Sequence, residues 1–509
     1  MTETRDLEDS LSSILSSAGT LLFSSVSSRV LSFLAYIALV RVLPARQFGL
    51  LMLAHVIVDT TARVIVVGIP DGISRQAATE KSTEAVMKAG LLVVVPLATV
   101  VTVLIFFARH HLAALLGEPG LSFPLAILSL VAITRPLAMI SIATLRGMEN
   151  ARDAALARDI IPQTVSLIVF LALAFFGYAY IGSIGYWFLL PVVMIGVATI
   201  PIYQRFGFRS LVGNLPQRSV VRGLVQFSWP LALQSVFVLL MTNFDVLAIG
   251  FFRAAESVGF YKSVVPVAQM TLVFLFSFIF LYLPIATQYY ESGDLKGLGK
   301  IYKVSTKWVS LTTFPLVLFL VLFPDDVIRV LFSATYLPAE VPLAILAIGM
   351  FLRVAVGPNA ATVKAIDQTR VDLVSAIVGL VVNVVLTVIF VPRLGLAGAA
   401  VATTIGFACY NIVEVVVIFR HIGGHPFSWN TIKPIFATTL FGVGLLWALP
   451  SGPFGLGALA VIGTSLATVE LLTIVATRSL EPEDRIIINQ IEEQTNRDLA
   501  FLKQFVPQS

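Results

Sequence analysis

Apolar runs of about 20 residues recur almost from end to end of this 509-residue chain, and that pattern leaves few folds open. Each run is long enough to cross the hydrocarbon core of a bilayer as a helix. A membrane β-barrel needs apolar and polar residues alternating over about 10 positions. The runs at 91–107 and 377–391 are instead apolar on every face. Only 12% of residues are charged, about half of the roughly 25% usual for a soluble domain. The expectation is an all-α polytopic membrane protein of about fourteen transmembrane helices. Helices are predicted at 16–40, 47–69, 86–108, 121–145, 156–178, 183–203, 224–251, 259–283, 304–324, 340–363, 372–391, 397–419, 431–449 and 455–476. An amphipathic surface helix is expected over 482–505.

The first ten residues hold Glu3, Arg5, Asp6, Glu8 and Asp9, an acidic start rather than the basic n-region of a cleavable signal. A single cysteine, Cys409, excludes an intramolecular disulfide and a cysteine-based metal site. The pI near 9.3 finds its explanation in topology, not in nucleic-acid binding. With the N-terminus placed in the cytoplasm, twenty-three basic residues fall at cytoplasmic helix ends and seven at outer ends. The outer seven are Arg41, Arg46, Arg109, Arg253, Lys262, Arg329 and Arg393. This bias alternates loop by loop, so it fixes the expected orientation with both termini in the cytoplasm of a cell-membrane protein. Arg29, Arg63, Arg135 and Arg353 lie inside spans.

An internal repeat is visible at an offset of 218. Pro124-Leu-Ala-Ile-Leu128 recurs as Pro342-Leu-Ala-Ile-Leu346, Arg135 meets Arg353, and Arg146-Gly-Met-Glu-Asn-Ala-Arg152 meets Lys364-Ala-Ile-Asp-Gln-Thr-Arg370. Every charged match keeps its sign. Pro44-Ala-Arg-Gln-Phe-Gly49 likewise resembles Ala254-Ala-Glu-Ser-Val-Gly259. A shift of six helices conserves topology, so the repeat is parallel. Transporters commonly place substrate between such halves. The expected organisation is an N-terminal lobe over 1–205, a C-terminal lobe over 206–425, two further helices over 426–478 and a cytoplasmic tail over 479–509.

The motifs resemble a known family. Val40-Arg-Val-Leu-Pro-Ala-Arg-Gln-Phe-Gly-Leu50 and Gly68-Ile-Pro-Asp-Gly-Ile-Ser-Arg-Gln76 are similar to the first loops of polysaccharide-biosynthesis flippases. Trp229-Pro-Leu-Ala-Leu-Gln234, Asn243-Phe-Asp-Val-Leu-Ala-Ile-Gly250 and Val258-Gly-Phe-Tyr261 resemble the start of that family's second half. Pro392-Arg-Leu-Gly-Leu-Ala-Gly-Ala-Ala-Val-Ala-Thr403 resembles a later turn, and Arg478-Ser-Leu-Glu-Pro-Glu-Asp-Arg485 looks archaeal. The resemblance implies a lipid-linked oligosaccharide flippase of the superfamily that also holds multidrug extruders and lipid II flippases. Its expected partners are the lipid-linked oligosaccharide, membrane lipids, and the glycosyltransferases or polymerase of the same pathway. No cofactor is expected, and transport is expected to draw on Na+, H+ or the membrane potential.

Such a substrate carries a phosphate or diphosphate, which suits the planar, always-charged fork of arginine. Arg135 and Arg353 are mid-span at repeat-equivalent positions, where an ionised group needs a cavity or a partner. The competing role for both is a structural pair. Arg29 lies on a stretch rich in serine (Ser24, Ser25, Ser27, Ser28 and Ser32), which suggests a wet wall. His55, Asp59 and Arg63 recur every four residues and form one stripe, in which Asp59 and Arg63 either neutralise each other or serve substrate and coupling. Asp245 beside Asn243, and Glu414 one turn from Asn411, are candidates for binding a coupling cation or proton. Partnering a nearby arginine is the commoner fate of such a carboxylate. Glu470 lies outside the repeat. A drug or cation antiporter of the same fold is the alternative and would be dominated by carboxylates. An enzyme is not expected, because the outer loops are short and no HExxH, P-loop or cysteine-rich metal motif is present.

Overall fold

The computed structural model describes residues 28–66, 68–78, 83–212, 215–450 and 452–484, with 492 and 506. Helices account for the regular structure, and there is no strand among the described residues. The first helix, α1, occupies 28–42 of the described chain. It is followed by α2 (Ala45–Val66), α3 (Ile69–Ala78), α4 (Thr83–Leu115), α5 (Ser122–Leu128), α6 (Val131–Gly147) and α7 (Ala151–Ala155). Next come α8 (Ile161–Phe175), α9 (Ala179–Val212), α10 (Arg218–Phe252), α11 (Ala255–Gln269), α12 (Leu272–Glu291) and α13 (Leu295–Leu322). The last six are α14 (Pro324–Leu331), α15 (Glu340–Val354), α16 (Asn359–Ala365), α17 (Thr369–Ile422), α18 (Trp429–Ala448) and α19 (Leu456–Ala476).

Among the described residues eleven helical segments are long and apolar enough to span a membrane, or twelve if α11 and α12, bent by 44°, form one span. That confirms a polytopic helical membrane protein and does not reach the expected fourteen. Two features account for the shortfall. The first 12 of the 25 residues of the first predicted span, 16–40, lie outside the described residues. The 54 residues of α17 count once, although at 1.5 Å per residue a straight helix of that length would run about 80 Å. Gly395 breaks it, with φ 59° and ψ −131°, a conformation closed to residues that carry a Cβ. The break falls between the helices predicted at 372–391 and 397–419.

Several helices outrun the apolar windows that reveal them. The predicted 304–324 helix begins at Leu295, because Asp294 caps it by accepting from the Gly297 N–H at 2.8 Å. Hydropathy marks the part of a helix inside hydrocarbon, and its charged ends continue into the headgroup layer. The predicted 121–145 and 340–363 spans are each two helices, α5–α6 and α15–α16, interrupted at different places. The 482–505 surface helix falls almost wholly outside the described residues.

The chain forms two compact units, Met1–Gly259 and Phe260–Ser509. The core of the first is rich in small and branched residues: Ile73, Ala89, Ala98, Ala138, Ala143, Ala157 and Ala198. Side chains this small let helix backbones approach closely, which is how membrane helices bind where lipid removes the hydrophobic drive. Within this unit two of the motifs meet: Ser228, just before Trp229, donates from Oγ to the Gly68 carbonyl at 2.9 Å. In the second unit Tyr282, Tyr302, Val363 and Ile418 form one cluster. Phe314 and Leu318 of α13 pack with Leu459, Ile462 and Leu466 of α19 in another. Leu104, Phe107, Phe175 and Trp447 stay exposed, as side chains that face lipid do.

Candidate functional site

In the first unit the stripe on α2 meets α6 and α9. Arg63 Nε donates to Asp59 Oδ2 at 2.6 Å, and Arg135 Nε lies 3.7 Å from Asp59 Oδ1. The second contact is an ion pair too long for a hydrogen bond. One carboxylate is thus shared by two arginines, and the group keeps a net positive charge. Asp59 and Arg63 do pair locally, and Arg135 joins them. His55, one turn back, stacks on Trp187 with ring centroids 3.9 Å apart.

Arg63 also lines a cavity of about 500 Å³ bounded by α2, α3, α6 and α10. Arg146 and Asp71 share that lining with Ser235 and Thr242, while Val66, Pro70, Met139, Val238 and Leu239 supply apolar wall. Two guanidinium groups, an acid and two hydroxyls around an open volume suit an anionic, hydroxyl-rich headgroup. In the sequence Arg146 stood out as a repeat match to Lys364 and a cytoplasmic charge, not as a site residue. Its place in the cavity follows from the α3–α6 packing, which spacing along the chain does not reveal.

Arg29 is exposed on α1. Of the serines beside it, Ser28 Oγ donates to the Asp159 carbonyl at 3.2 Å and Ser32 Oγ accepts from Gln163 Nε2. They bond α1 to the start of α8. Ser24, Ser25 and Ser27 lie outside the described residues.

The second unit holds Arg353 in the last turn of α15, its guanidinium 5.1 Å from the Phe407 ring centroid. Arg353 is the cationic neighbour of the Glu414 carboxylate. Glu414 is fully buried, and neither carboxylate oxygen has a hydrogen-bond partner among the described residues. Asn411 Oδ1 accepts from Asn359 Nδ2 at 3.1 Å. Tyr410 donates to Asp372 Oδ1, and Lys364 stands 4.0 Å from Asp372 Oδ2. Asp245 is buried and accepts from the Val246 N–H at 2.8 Å, while Asn243 donates to the Leu239 carbonyl at 3.0 Å. Glu470 is buried, with both carboxylate oxygens lacking a hydrogen-bond partner. No group of three metal-ligating side chains occurs among the described residues.

Another ionic cluster went unnoticed in the sequence. Lys307, inside α13 and fully buried, donates to Asp484 Oδ2 at 2.7 Å, Glu481 Oε2 at 3.3 Å and the Ser479 carbonyl at 3.2 Å. Trp308 Nε1 adds a bond to Asp484 Oδ1 at 2.9 Å. The beginning of the tail is therefore docked on α13. Lys307 looked like one more cytoplasmic lysine because its helix was expected to start at 304.

Many membrane-spanning helices, in-membrane arginines and a cationic cavity together define a polytopic transporter-type membrane protein. Residues 14–290 match the family described as polysaccharide biosynthesis protein, and residues 230–389 match MatE. The chain belongs to the polysaccharide biosynthesis protein family, within the superfamily of multidrug and oligosaccharidyl-lipid exporters. It is 21% identical to the probable low-salt glycan biosynthesis flippase Agl15 of Haloferax volcanii, over 83% of this chain and 88% of that protein. It is 24% identical to the uncharacterized membrane protein MJ1068 of Methanocaldococcus jannaschii, over 47% of each, so that match spans about half the length of either chain. The fold is that of the lipid II flippase MurJ in its inward closed conformation, with a TM-score of 0.72 at 16% identity, covering 88% of this chain and 97% of that one.

Proposed function

We propose that the chain is a flippase that carries a polyprenyl-phosphate- or polyprenyl-diphosphate-linked oligosaccharide from the cytoplasmic to the outer leaflet by alternating access, for cell-surface polysaccharide or glycoprotein synthesis. The observation that carries this reading is the cavity in which Arg63 and Arg146 come together, with Arg63 held by the carboxylate that also faces Arg135. Arg63, Arg135 and Arg146 receive the phosphate, and the hydroxyls and Asp71 meet sugar. Arg353 and Arg29 serve the same anion at other stages. The two six-helix lobes, 1–205 and 206–425, alternate about it, and both termini face the cytoplasm as the basic loops require. The Haloferax volcanii relative, named as a probable glycan biosynthesis flippase, supports the substrate class.

The test is leaflet translocation of a fluorescent lipid-linked oligosaccharide in proteoliposomes. Wild type is expected to flip it, and Arg63→Ala, Arg135→Ala and Arg146→Ala to fall to the protein-free background while remaining folded. Normal flipping by all three variants overturns the site.

A cation-coupled antiporter is the second reading. It is favoured by the match of residues 230–389 to MatE and by Glu414, a buried carboxylate with no hydrogen-bond partner. Ethidium efflux without lipid translocation would replace the first reading with this one. Under either reading Glu414, Asp59 and Asp245 are the residues through which Na+ or H+ couples.

A further inference from the structure

Glu470 lies in the second half of α19, outside the repeat and apart from the arginine sites, and it is 2% exposed. Neither carboxylate oxygen makes a hydrogen bond of good geometry among the described residues. Its polar surroundings are hydroxyls. Thr438 of α18, fully buried, stands beside the carboxyl. Thr438 Oγ1 is 3.4 Å from Thr473 Oγ1, and Thr473 donates to the Glu470 carbonyl at 2.9 Å. The one hydroxyl proton of Thr473 is thereby committed, so Thr438 is the donor within the pair and its lone pairs remain to accept. On α13, Ser310 falls three residues after Lys307 and four before Phe314, on the stripe that packs against α19. It is buried, and its Oγ has no partner. Toward the end of α19 the hydroxyls continue through Thr477, whose Oγ1 is 2.7 Å from Ser479 Oγ.

Charges on the helices packed against α19 are engaged elsewhere. On α13, Lys307 is bound to Asp484 and Glu481, and Lys303 and Lys300 pair with Glu481 and Glu483. Tyr302 of the same helix donates to the Val356 carbonyl. On α18, Lys433 donates to Asn430 Oδ1 at 3.0 Å. On α14, Asp325, Asp326 and Arg329 belong to the opposite end of α19, where Asp326 accepts from the Phe454 N–H at 2.8 Å. No cation neighbours the Glu470 carboxyl among the described residues. All these elements lie in the second unit.

We propose that Glu470 is a proton-binding site within the α13–α18–α19 layer, occupied at neutral pH, where the carboxylic acid donates to Thr438. An ionised carboxylate buried in a membrane protein without a cation is costly. A proton removes the charge and supplies the donor that the Thr438 lone pairs lack. One carboxylate and one adjacent hydroxyl are too few oxygens to enclose a metal ion. The site is separate from Asp59, Asp245 and Glu414, and it stands whatever the protein transports. Releasing the proton puts an unpaired charge between these helices, so occupancy ties the packing of α18 and α19 on α13 to pH.

Two arms test the site. The first uses the native chain in detergent and dicyclohexylcarbodiimide, which adds only to protonated carboxyls, with the modified residue located by mass spectrometry. Glu470 should be labelled at neutral pH and at least tenfold more slowly in alkaline buffer, without protection by Na+. Protection by Na+ at constant pH would assign the site to a metal ion and overturn the proposal. Labelling equally fast in alkaline buffer would show that no proton is released and would overturn it too. The second arm covers a carboxyl that the reagent cannot reach. Infrared difference spectra of wild type against Glu470→Gln, which keeps the shape, should show the C=O stretch of a protonated carboxyl at neutral pH. A carboxylate band in its place sinks the proposal.

Discussion

Arg135 Nε stands 3.7 Å from Asp59 Oδ1 while Arg63 Nε holds Asp59 Oδ2 at 2.6 Å. The carboxylate is a common partner for two cations on different helices, α2 and α6. Two positive charges around one negative leave this group with a net positive charge, each arginine standing against one carboxylate oxygen. Asp59→Asn should therefore tighten headgroup binding and slow release. The expected size is about tenfold in each, equivalent to about 1.4 kcal/mol. Binding of a short-chain polyprenyl diphosphate by isothermal titration, set beside the translocation rate, reads both. Weaker binding in Asp59→Asn would mean that the carboxylate positions the arginines rather than competing with the ligand.

Arg63 and Arg146 line one cavity. A charge-assisted hydrogen bond contributes about 1.5–3 kcal/mol, so each alanine substitution should weaken diphosphate binding by about tenfold or more. If both contact the same ligand, their effects are coupled, and the double variant should lose less than the sum of the singles. Strict additivity would place them on separate groups of the substrate.

Much of this fold was legible because lipid writes a simple rule: a helix crossing hydrocarbon must be apolar over its length. The repeat was legible because Arg135 and Arg353 keep their register. Pairing was not. Asp59 and Arg63 are four residues apart and could be read as neighbours on a helix, whereas Arg135 and Arg146 reach the same region only through α6. Lys307 escaped notice because its partners are far along the chain, in the segment read as the start of the cytoplasmic tail.

Glu414 is fully buried with Arg353 as its cationic neighbour, so its ionised form depends on that arginine or on a bound cation or proton. Glu414→Gln keeps the shape and removes the charge. The variant should keep substrate binding within about threefold and lose the dependence of transport on an imposed Na+ or pH gradient, by the linkage of binding to charge state. Counterflow measured with and without each gradient separates the two ions. A gradient response equal to wild type would assign Glu414 to the Arg353 pair alone.

Lys307 and Asp484 are both fully buried and 2.7 Å apart, so removing one strands the other. Lys307→Met should cost about 3–5 kcal/mol, and Lys307→Met with Asp484→Leu should recover most of it, because a buried pair replaced as a whole loses little. Thermal unfolding in detergent, followed through Trp308 fluorescence, reads the difference. The same cluster predicts a pH effect through Glu481, which lies beyond α19. Burial pushes its carboxyl upward, but Lys307, the Asn430 amide and Lys303 outweigh that and hold it below the ordinary glutamate range. A carboxyl depressed in the folded state stabilises docking above its unfolded value of about 4.3 and loses that contribution as the pH falls through the folded value. The tail should therefore stay docked from neutral pH down to about 4 and loosen below it. Glu481→Gln should abolish that acid-dependent part. Rates of limited proteolysis next to residue 484 across that range provide the measurement, and release that is independent of pH in wild type would show that Asp484 and Lys307 hold the tail without Glu481.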